Sequence, residues 1–255
     1  MELIDTHAHI YLDAFDEDRQ QVIERARQAG VGRIYLPNID AGSIPGMMEL
    51  CRNEPEFFYP MMGLHPTSVD EHYREVLRQV ESWLDQEEFA AIGEVGIDLY
   101  WDKTYFRQQQ EALTIQFQWA MERGMPVVIH SRESFQEIFE VMERVDDGRL
   151  YGIFHSFSGT PEDARRILDM GFKIGINGIV TFKNSSLDQV VRDIDINDLV
   201  VETDAPFLSP EPRRGKRNES AHVRYIAEKI AAIKQMPVEQ VAAITTQNAL
   251  NIFRK

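Results

Sequence analysis

The sequence predicts an α/β fold, a (β/α)8 TIM barrel formed by a single domain with its active site at the C-terminal ends of the strands. Eight short apolar segments alternate along the chain with segments of helical periodicity, as expected when a helix follows every strand of a parallel barrel. A length of 255 residues with 43% hydrophobic content is enough to bury one large core. Because no linker rich in Pro, Gly or Ser divides the chain, we expect one domain over residues 1–255.

The first half of the chain predicts four strand–helix units. Apolar side chains at helical spacing, such as Val76, Val80 and Leu84 on one face, identify the helices, and Gly30 can end the first of them. The strands are expected near residues 3–9, 33–37, 57–64 and 89–94, and the helices near residues 15–30, 43–53, 69–86 and 107–123.

The second half repeats this alternation and ends in two helices. The continuous β-branched run at residues 127–129 is typical of a strand buried on both faces. The strands are expected near residues 126–130, 150–155, 172–177 and 199–203, and the helices near residues 133–145, 161–170, 186–194, 219–234 and 237–253. An open doubly wound sheet is the alternative, but no Gly-x-Gly-x-x-Gly motif follows the first strand.

The composition limits the classes of protein to which the chain can belong. A net charge of −15 argues against a protein that coats nucleic acid through a broad basic face, although it allows a small site with its own cations. The single cysteine, Cys51, excludes an internal disulfide framework and favours a reducing compartment; we expect it to be packed on a helix. The N-terminal residues form neither a basic region nor a long apolar run. We therefore expect a cytoplasmic protein with no membrane segment and no obligatory protein partner.

Histidines concentrate at the predicted ends of strands. His7 and His9 are separated by one residue, so in an extended segment their side chains project to the same face. His65, His130 and His155 lie at or just beyond the ends of other strands, and the remaining two of the seven histidines lie on or near helices. The C-terminal ends of all barrel strands converge on one mouth. This pattern predicts a metal site, because neutral imidazoles bind transition metals.

Two acidic residues complete this set. Glu94 closes a fourth strand that is otherwise small and apolar, and Asp204 closes the eighth. A carboxylate at the end of a buried strand must be paired, hydrogen-bonded or metal-bound to remain charged. A metal beside the histidine pair of the first strand explains both carboxylates. The alternative, which is plausible for Asp204 because it precedes Pro206, is a helix cap or a salt bridge.

These motifs together resemble the TatD family of metal-dependent deoxyribonucleases, which belongs to the amidohydrolase-like barrels. The matching stretches run from the first strand to the loop after the last one, so the resemblance covers essentially the whole chain. They are residues 3–9 (LIDTHAH), 63–66 (GLHP), 93–98 (GEVGID), 128–132 (VIHSR), 154–159 (FHSFSG), 201–206 (VETDAP) and 214–219 (RGKRNE). Each motif is modest by itself, but their order is highly specific.

The resemblance implies two divalent metal ions in one site and a set of ligands for each. The first ion would be held by His7, His9, Glu94 and Asp204. The second would be held by Glu94, His130 and His155, with the carboxylate bridging the two ions. The metals could be magnesium, manganese or zinc: imidazole-rich ligation favours zinc or manganese, whereas the resemblance implies activity supported by magnesium.

The resemblance also implies a 3′-to-5′ exonuclease that acts on single-stranded DNA ends. In a two-metal mechanism the catalytic residues would be Glu94, as the bridging ligand, and Asp204. We expect Asp204 to orient the attacking water and accept its proton, because a terminal ligand retains a free oxygen. His65 would contact the substrate phosphate and not a metal.

Further contacts to the substrate are expected from cations and aromatic rings near the mouth. Arg132 is a candidate for binding phosphoryl oxygens, although a salt bridge at the start of a helix is equally plausible. A basic loop after the eighth strand could bind backbone phosphates, or it could simply be solvated. Its cations are Arg213, Arg214, Lys216 and Arg217. Stacking faces for bases could come from Tyr100, Trp101, Phe157 and Phe182, although each of these rings could equally be packed in the rim of the barrel.

Two departures from the family pattern and two alternative functions remain. Tyr11 stands where an acidic or amide residue is usual, and Ser220 replaces a proline; both put substrate contacts in doubt, and neither is expected to affect the metal centre. A small-molecule amidohydrolase or phosphotriesterase on the same barrel would be favoured by a lysine able to carry a bridging carbamate, but Glu94 ends the fourth strand. A non-catalytic metal-binding scaffold is disfavoured because all six ligand positions are filled.

Overall fold

Eight parallel strands follow one another around a single sheet in the order of the chain. The computed structural model describes residues 1–253. Each strand pairs in parallel with the next one along the sequence. The strands are β1 (Leu3–Asp5), β2 (Val31–Pro37), β3 (Phe58–Met62), β4 (Ala91–Asp98), β5 (Val127–Arg132), β6 (Gly152–Phe154), β7 (Lys173–Ile176) and β8 (Leu199–Val201).

Backbone hydrogen bonds beyond the ends of β1 and β8 join the first strand to the last. The amide of Thr6 donates to Val201 O at 3.2 Å, and the amide of Asp204 donates to His7 O at 2.9 Å. Further along, Ala8 and Ala205 form an isolated parallel bridge. The sheet is thereby nearly closed, which confirms the predicted (β/α)8 barrel.

Nine helices are present in the described part of the chain. They are α1 (Arg19–Gln28), α2 (Ile44–Asn53), α3 (Tyr73–Gln86), α4 (Phe106–Arg123), α5 (Phe135–Val145), α6 (Pro161–Asp169), α7 (Leu187–Asp193), α8 (Val223–Lys234) and α9 (Val238–Phe253). Each turns an apolar stripe to the sheet; Leu113 and Phe117 of α4, for example, are fully buried. Cys51 is buried in α2, as predicted. None of the helices within residues 1–253 combines the length and apolar character needed to cross a membrane.

Three helices begin four residues later than the sequence predicts, and one of them is α3, which was expected from residue 69 but begins at Tyr73. The first helix was expected from residue 15, but residues 13–15 form a short 3-10 turn and α1 begins at Arg19. The helix expected from residue 219 likewise opens with a 3-10 turn at residues 220–222, and α8 begins at Val223. In both of these places the sequence pattern includes a 3-10 turn that precedes the α-helix, so the predicted helix is longer than the observed one.

Strand β4 is longer than predicted and determines where the site lies. Glu94 was expected to end this strand, but β4 continues to Asp98 with every residue buried. Its pairing with β5 shifts register between Ile92 and Val95, so the irregularity spans the glutamate. A Cβ atom on Gly96 would lie 2.0 Å from the carbonyl oxygen of His130. Glycine at this position therefore allows β4 and β5 to approach closely beside the site.

Candidate metal centre

The first half of the site surrounds one carboxylate oxygen of Glu94. Glu94 Oε2 lies 3.1 Å from His7 Nε2 and 3.7 Å from His9 Nε2, and these two nitrogens are 3.3 Å apart. Asp204 Oδ1 lies 3.8 Å from the first nitrogen and 3.7 Å from the second. Two imidazole nitrogens and two carboxylate oxygens thus converge on one point, as the first predicted ligand set requires.

The second half of the site surrounds the other oxygen of the same carboxylate. Glu94 Oε1 lies 2.7 Å from His155 Nε2, 3.0 Å from His130 Nδ1 and 3.2 Å from His65 Nε2. All five strand-end histidines therefore face a single carboxylate, with two around one oxygen and three around the other. Glu94 has the position expected of a bridging ligand.

Asp5 aligns the two chain segments that carry His7 and Asp204. Its carboxylate accepts hydrogen bonds from the Thr203 amide at 2.8 Å and from the Thr203 hydroxyl at 2.6 Å. It also accepts from the amide of His7 at 3.4 Å. Complete burial raises the pKa of Asp5 to about 7. Sequence reasoning assigned this residue no role, yet it fixes the register between the segments after β1 and β8.

The proton on His9 is fixed by Tyr11. The buried Tyr11 hydroxyl lies 2.5 Å from Pro37 O, which can only accept, and 3.0 Å from His9 Nδ1. Because the hydroxyl has one proton and donates it to the carbonyl, His9 Nδ1 must donate to the hydroxyl. His9 Nε2 then carries a lone pair that points into the site. The expectation that Tyr11 does not touch a ligand is wrong, since its hydroxyl binds His9, a candidate ligand.

The same reasoning gives His65 the opposite tautomer. The amide of Thr67, which can only donate, lies 3.1 Å from His65 Nδ1. That nitrogen is therefore an acceptor, and in a neutral ring the proton lies on Nε2, facing Glu94. An Nε2–H group can donate a hydrogen bond to an anionic oxygen but offers no lone pair to a cation. This geometry fits the expected role of His65 as a phosphate contact, although it lies among the candidate ligands.

Two buried carboxylates lie beside the remaining histidines, each near the ring nitrogen that does not face Glu94. Asp98 Oδ2 lies 2.9 Å from His130 Nε2, so a proton on Nε2 leaves Nδ1 free to face Glu94. Glu202, which is fully buried, accepts from the Ser156 amide and lies 3.5 Å from His155 Nδ1. Carboxylates in such positions orient ligating histidines and raise their basicity.

A periodicity of two could have identified both carboxylates from the sequence. Asp98 is four residues beyond Glu94 and Glu202 is two residues before Asp204. In an extended strand these spacings put side chains on the same face.

Burial and charge together shift the pKa values of the clustered groups. Burial lowers the pKa of His7 to about 4 and that of His9 well below its usual range, so both rings are neutral near pH 7. Burial alone would raise the pKa of Glu94, but the facing histidines, His155 first, bring it well below its usual range. Burial raises the pKa of Asp204 to about 8; a nearby cation would favour its charged form.

This donor set fits divalent cations. Three overlapping groups of histidine and carboxylate atoms are close enough to hold a metal ion: His7 with His155 and Asp204; His7 with His9 and Glu94; and His65 with Glu94 and His130. In the third group His65 would have to adopt its other tautomer to act as a ligand. The neutral rings of His7 and His9, which follow β1, offer lone pairs and not positive charges. His7 Nε2 lies 3.3 Å from His9 Nε2, whose lone pair points into the site, and mixed imidazole–carboxylate ligation suits transition metals.

The cluster lies at the bottom of a cavity of about 750 Å³ at the C-terminal end of the barrel. His9, His65, Glu94, His130, His155 and Asp204 all line it. Arg132 lies on its wall, where the guanidinium carbon is 3.8 Å from the centre of the Tyr100 ring. The structure thus brings Arg132 together with the predicted ligands.

The basic loop after β8 is not brought to the cavity. Arg217 donates to Ala14 O at 2.6 Å and to Asp18 Oδ2 at 2.8 Å, so it fastens the loop to the N-terminal region. Arg214 lies 3.7 Å over the Phe182 ring, and within residues 1–253 none of the loop's four cations lines the cavity.

Phe157 is only 1% exposed, so the stacking role expected of it is wrong, whereas Tyr100 and Trp101 are exposed at the mouth.

The chain is similar to known proteins over its whole length. Residues 4–254 match the family model described as TatD related DNase. The uncharacterized metal-dependent hydrolase YabD of Bacillus subtilis is 39% identical over 253 residues, which cover 99% of both chains. A protein of Pantoea vagans named 3'-5' ssDNA/RNA exonuclease TatD is 30% identical, again over 99% of both chains.

A solved structure supports the same relationship. The crystal structure of YjjV, a TatD homologue from Escherichia coli K12, superposes with a TM-score of 0.93 at 30% identity. The match covers 99% of this chain and 98% of YjjV. The sequence match, the barrel and the cluster of histidines and carboxylates agree: the chain belongs to the TatD family of metal-dependent hydrolases.

Proposed function

We propose that the protein is a two-metal phosphodiesterase that removes nucleotides one at a time from the 3′ end of single-stranded DNA. The observation that carries this proposal is that the two carboxylate oxygens of Glu94 face two separate groups of histidines. A carboxylate that bridges two divalent ions has this arrangement, and paired ions are suited to phosphodiester hydrolysis. The relative from Pantoea vagans, named a 3'-5' ssDNA/RNA exonuclease, supports the choice of substrate.

The side chains of this chain have distinct roles in the proposed reaction. Divalent ions bound at the cluster would supply a Lewis-acid charge that activates water and neutralises phosphoryl oxygens. Asp204 orients the attacking water and takes up its proton; its carboxylate is 14% exposed, so one edge faces the cavity. His65 donates a hydrogen bond from its Nε2–H group to a non-bridging oxygen. Arg132, on the cavity wall, binds the other phosphoryl oxygens.

The charge distribution favours an enzyme that engages the end of a strand. A protein with a net charge of −15 repels a long polyanion, and the cations of the basic loop lie away from the cavity. Few phosphates can therefore be bound at once, as suits a substrate that enters by its terminus. A duplex end has to fray before its terminal phosphodiester can enter, so we expect single-stranded ends to be cut faster.

The test uses 5′-labelled single-stranded DNA and purified protein loaded with magnesium, manganese or zinc in turn. We expect a ladder that shortens stepwise from the 3′ end, close to two divalent ions per chain by elemental analysis, and no product after chelation. Glu94→Gln removes the bridging charge and should lower both metal content and hydrolysis. A closed circular single strand is the matched control. Cleavage of the circle at the rate of the linear strand, or hydrolysis of small phosphotriesters but not DNA, would contradict the proposal.

A further inference from the structure

Exposed hydrophobic side chains concentrate around the cavity. Only four large hydrophobic side chains are exposed within the described residues: Met1, Tyr100, Trp101 and Phe207. Three of them are aromatic and lie at the mouth of the cavity: Tyr100 and Trp101 are in the loop after β4, and Phe207 is in the loop after β8. Trp101 is 69% exposed and Phe207 is 51% exposed. Leaving such rings in water is unfavourable, so their clustering at the site calls for a ligand with apolar faces.

On one side of the mouth, Trp101 belongs to a compact stack. The Tyr100 and Trp101 rings meet edge to face with their centres 4.9 Å apart. The guanidinium carbon of Arg132 lies 3.8 Å from the centre of the first ring and 5.2 Å from that of the second. The arginine thus supports both rings and presents its charge to the cavity. A flat surface next to a cation is suited to a nucleobase and its phosphate.

Asp98 fixes this stack relative to the metal cluster. Its Oδ1 accepts hydrogen bonds from the amides of Tyr100 at 3.0 Å and Trp101 at 3.3 Å. Its Oδ2 lies 2.9 Å from Nε2 of His130, a candidate metal ligand. One buried carboxylate therefore binds both the loop that carries the rings and the cluster. The loop has a defined position over the site.

Phe207 occupies the other side of the mouth. It follows β8, and in a barrel of eight strands in sequential order β8 lies opposite β4, from which Trp101 extends. The Phe207 amide donates to Asp204 O at 2.8 Å, and its carbonyl accepts from the buried Asn218 side chain at 2.7 Å. The ring centre is 6.2 Å from that of His9. This ring is also held in place beside the ligands.

We propose that Trp101 and Phe207 are two nucleobase-stacking platforms, one on each side of the phosphodiester to be cut. Trp101, supported by Tyr100 and Arg132, stacks on one of the two bases that flank the bond, and Phe207 stacks on the other. The proposal deepens the proposed function and rests on it. It makes the enzyme sensitive to the presence of the two bases but tolerant of their identity, because every base has a π-face.

The first experiment measures binding and needs no hydrolysis. Metal-loaded protein is titrated with deoxyadenosine 5′-monophosphate and with 2-deoxyribose 5-phosphate, which lacks a base, while tryptophan fluorescence is recorded. The chain has three tryptophans, and Trp101 is the exposed one among the described residues. We expect quenching by the nucleotide alone, lost in Trp101→Phe and kept in Trp83→Phe, which changes a partly buried ring of α3 away from the mouth.

The second experiment measures cleavage of matched single strands that carry a base or an abasic residue at the last or the next-to-last position. Loss of a stacked base should lower kcat/KM by about 5- to 150-fold in the wild type. Trp101→Ala should remove this discrimination at one position and Phe207→Ala at the other, while Trp101→Phe should preserve it. Both side chains are more than half exposed, so the variants should fold.

The outcomes separate the platforms from the proposed function. Nucleotide-specific quenching without cleavage of any DNA would support the Trp101 platform and overturn the exonuclease. Cleavage with equal rates on base-bearing and abasic strands, or with discrimination unchanged in both alanine variants, would overturn the platforms and leave the exonuclease standing. Absence of quenching by the nucleotide would overturn the Trp101 platform irrespective of the DNA assay.

Discussion

Replacing Tyr11 by phenylalanine tests whether a single hydroxyl group sets the metal affinity of the site. The hydroxyl donates to Pro37 O at 2.5 Å and accepts from His9 Nδ1, 3.0 Å away. In Tyr11→Phe, His9 Nδ1 loses its acceptor, and the imidazole proton is free to move to Nε2. A ring protonated on Nε2 has no lone pair for a cation at the cluster. We therefore expect weaker metal binding with little change in shape.

The size of the effect follows from the two hydrogen bonds that are lost. Leaving a buried donor or acceptor unsatisfied costs about 1–3 kcal/mol, and Tyr11 is only 7% exposed. The part of this cost that affects the metal-bound form appears as weaker affinity, at about 1.4 kcal/mol per factor of ten. Removal of groups that orient metal ligands typically weakens binding by about 10- to 100-fold. We expect the Kd for a divalent ion to rise within that range.

The assay is competition for zinc or manganese between the protein and a chromophoric chelator, with thermal unfolding recorded in parallel. Tyr35→Phe is the matched control, since Tyr35 is also fully buried but its ring stacks on Phe253 with centres 3.8 Å apart. Both variants lose one buried hydroxyl, and only Tyr11→Phe should bind metal more weakly. An equal Kd in the two variants would refute the assigned tautomer of His9, whatever the change in stability.

The remaining predictions separate residues that share the site or the loop beside it. Asp204→Asn keeps an oxygen for the metal but cannot take a proton, so hydrolysis should fall about 10²-fold or more with the metal retained; wild-type activity would exclude its role as base. His65→Gln should impair hydrolysis without loss of metal, because His65 Nε2 carries a proton; metal loss in elemental analysis would make it a ligand. Arg132→Ala should flatten the salt dependence of binding to a single strand by about 0.7 for the phosphate contact that it loses, whereas Arg217→Ala, which frees the loop from Asp18, should leave that slope unchanged and lower the melting temperature. Equal slopes in the two arginine variants would contradict this assignment.

The order of strands and helices could be predicted because each element has a clear local signal. Helices such as α3 have apolar residues at a spacing near 3.6, and β5 begins with a run of three β-branched residues at positions 127–129. The extent of β4 could not be predicted in this way. Glu94 is polar, so it was expected to end the strand; only the histidines that surround it in three dimensions allow it to lie buried within the strand.

The sequence predicts which residues form the site better than it predicts which partners they contact. His7, His9 and Asp204 were expected to share a metal, and the structure brings them within 4 Å of one another. The partner of a long polar side chain depends on where loops fold. Arg217 was expected at the substrate, but it reaches Asp18 instead, 199 positions away in sequence. Charge and spacing alone carry no information about such a pairing.

The interactions that close the barrel are also those that assemble the site, and this explains why the first and last motifs belong together. Thr203 joins the end of β8 to Asp5 through two hydrogen bonds, and its carbonyl accepts from Asn218 at 2.8 Å. The same asparagine holds the carbonyl of Phe207. A change that loosens Thr203 would therefore displace Asp204 from His7 and His9, and the Phe207 ring from the mouth. In this barrel the closure of the sheet, the metal ligands and the wall of the cavity depend on one short segment, so none of them can vary independently.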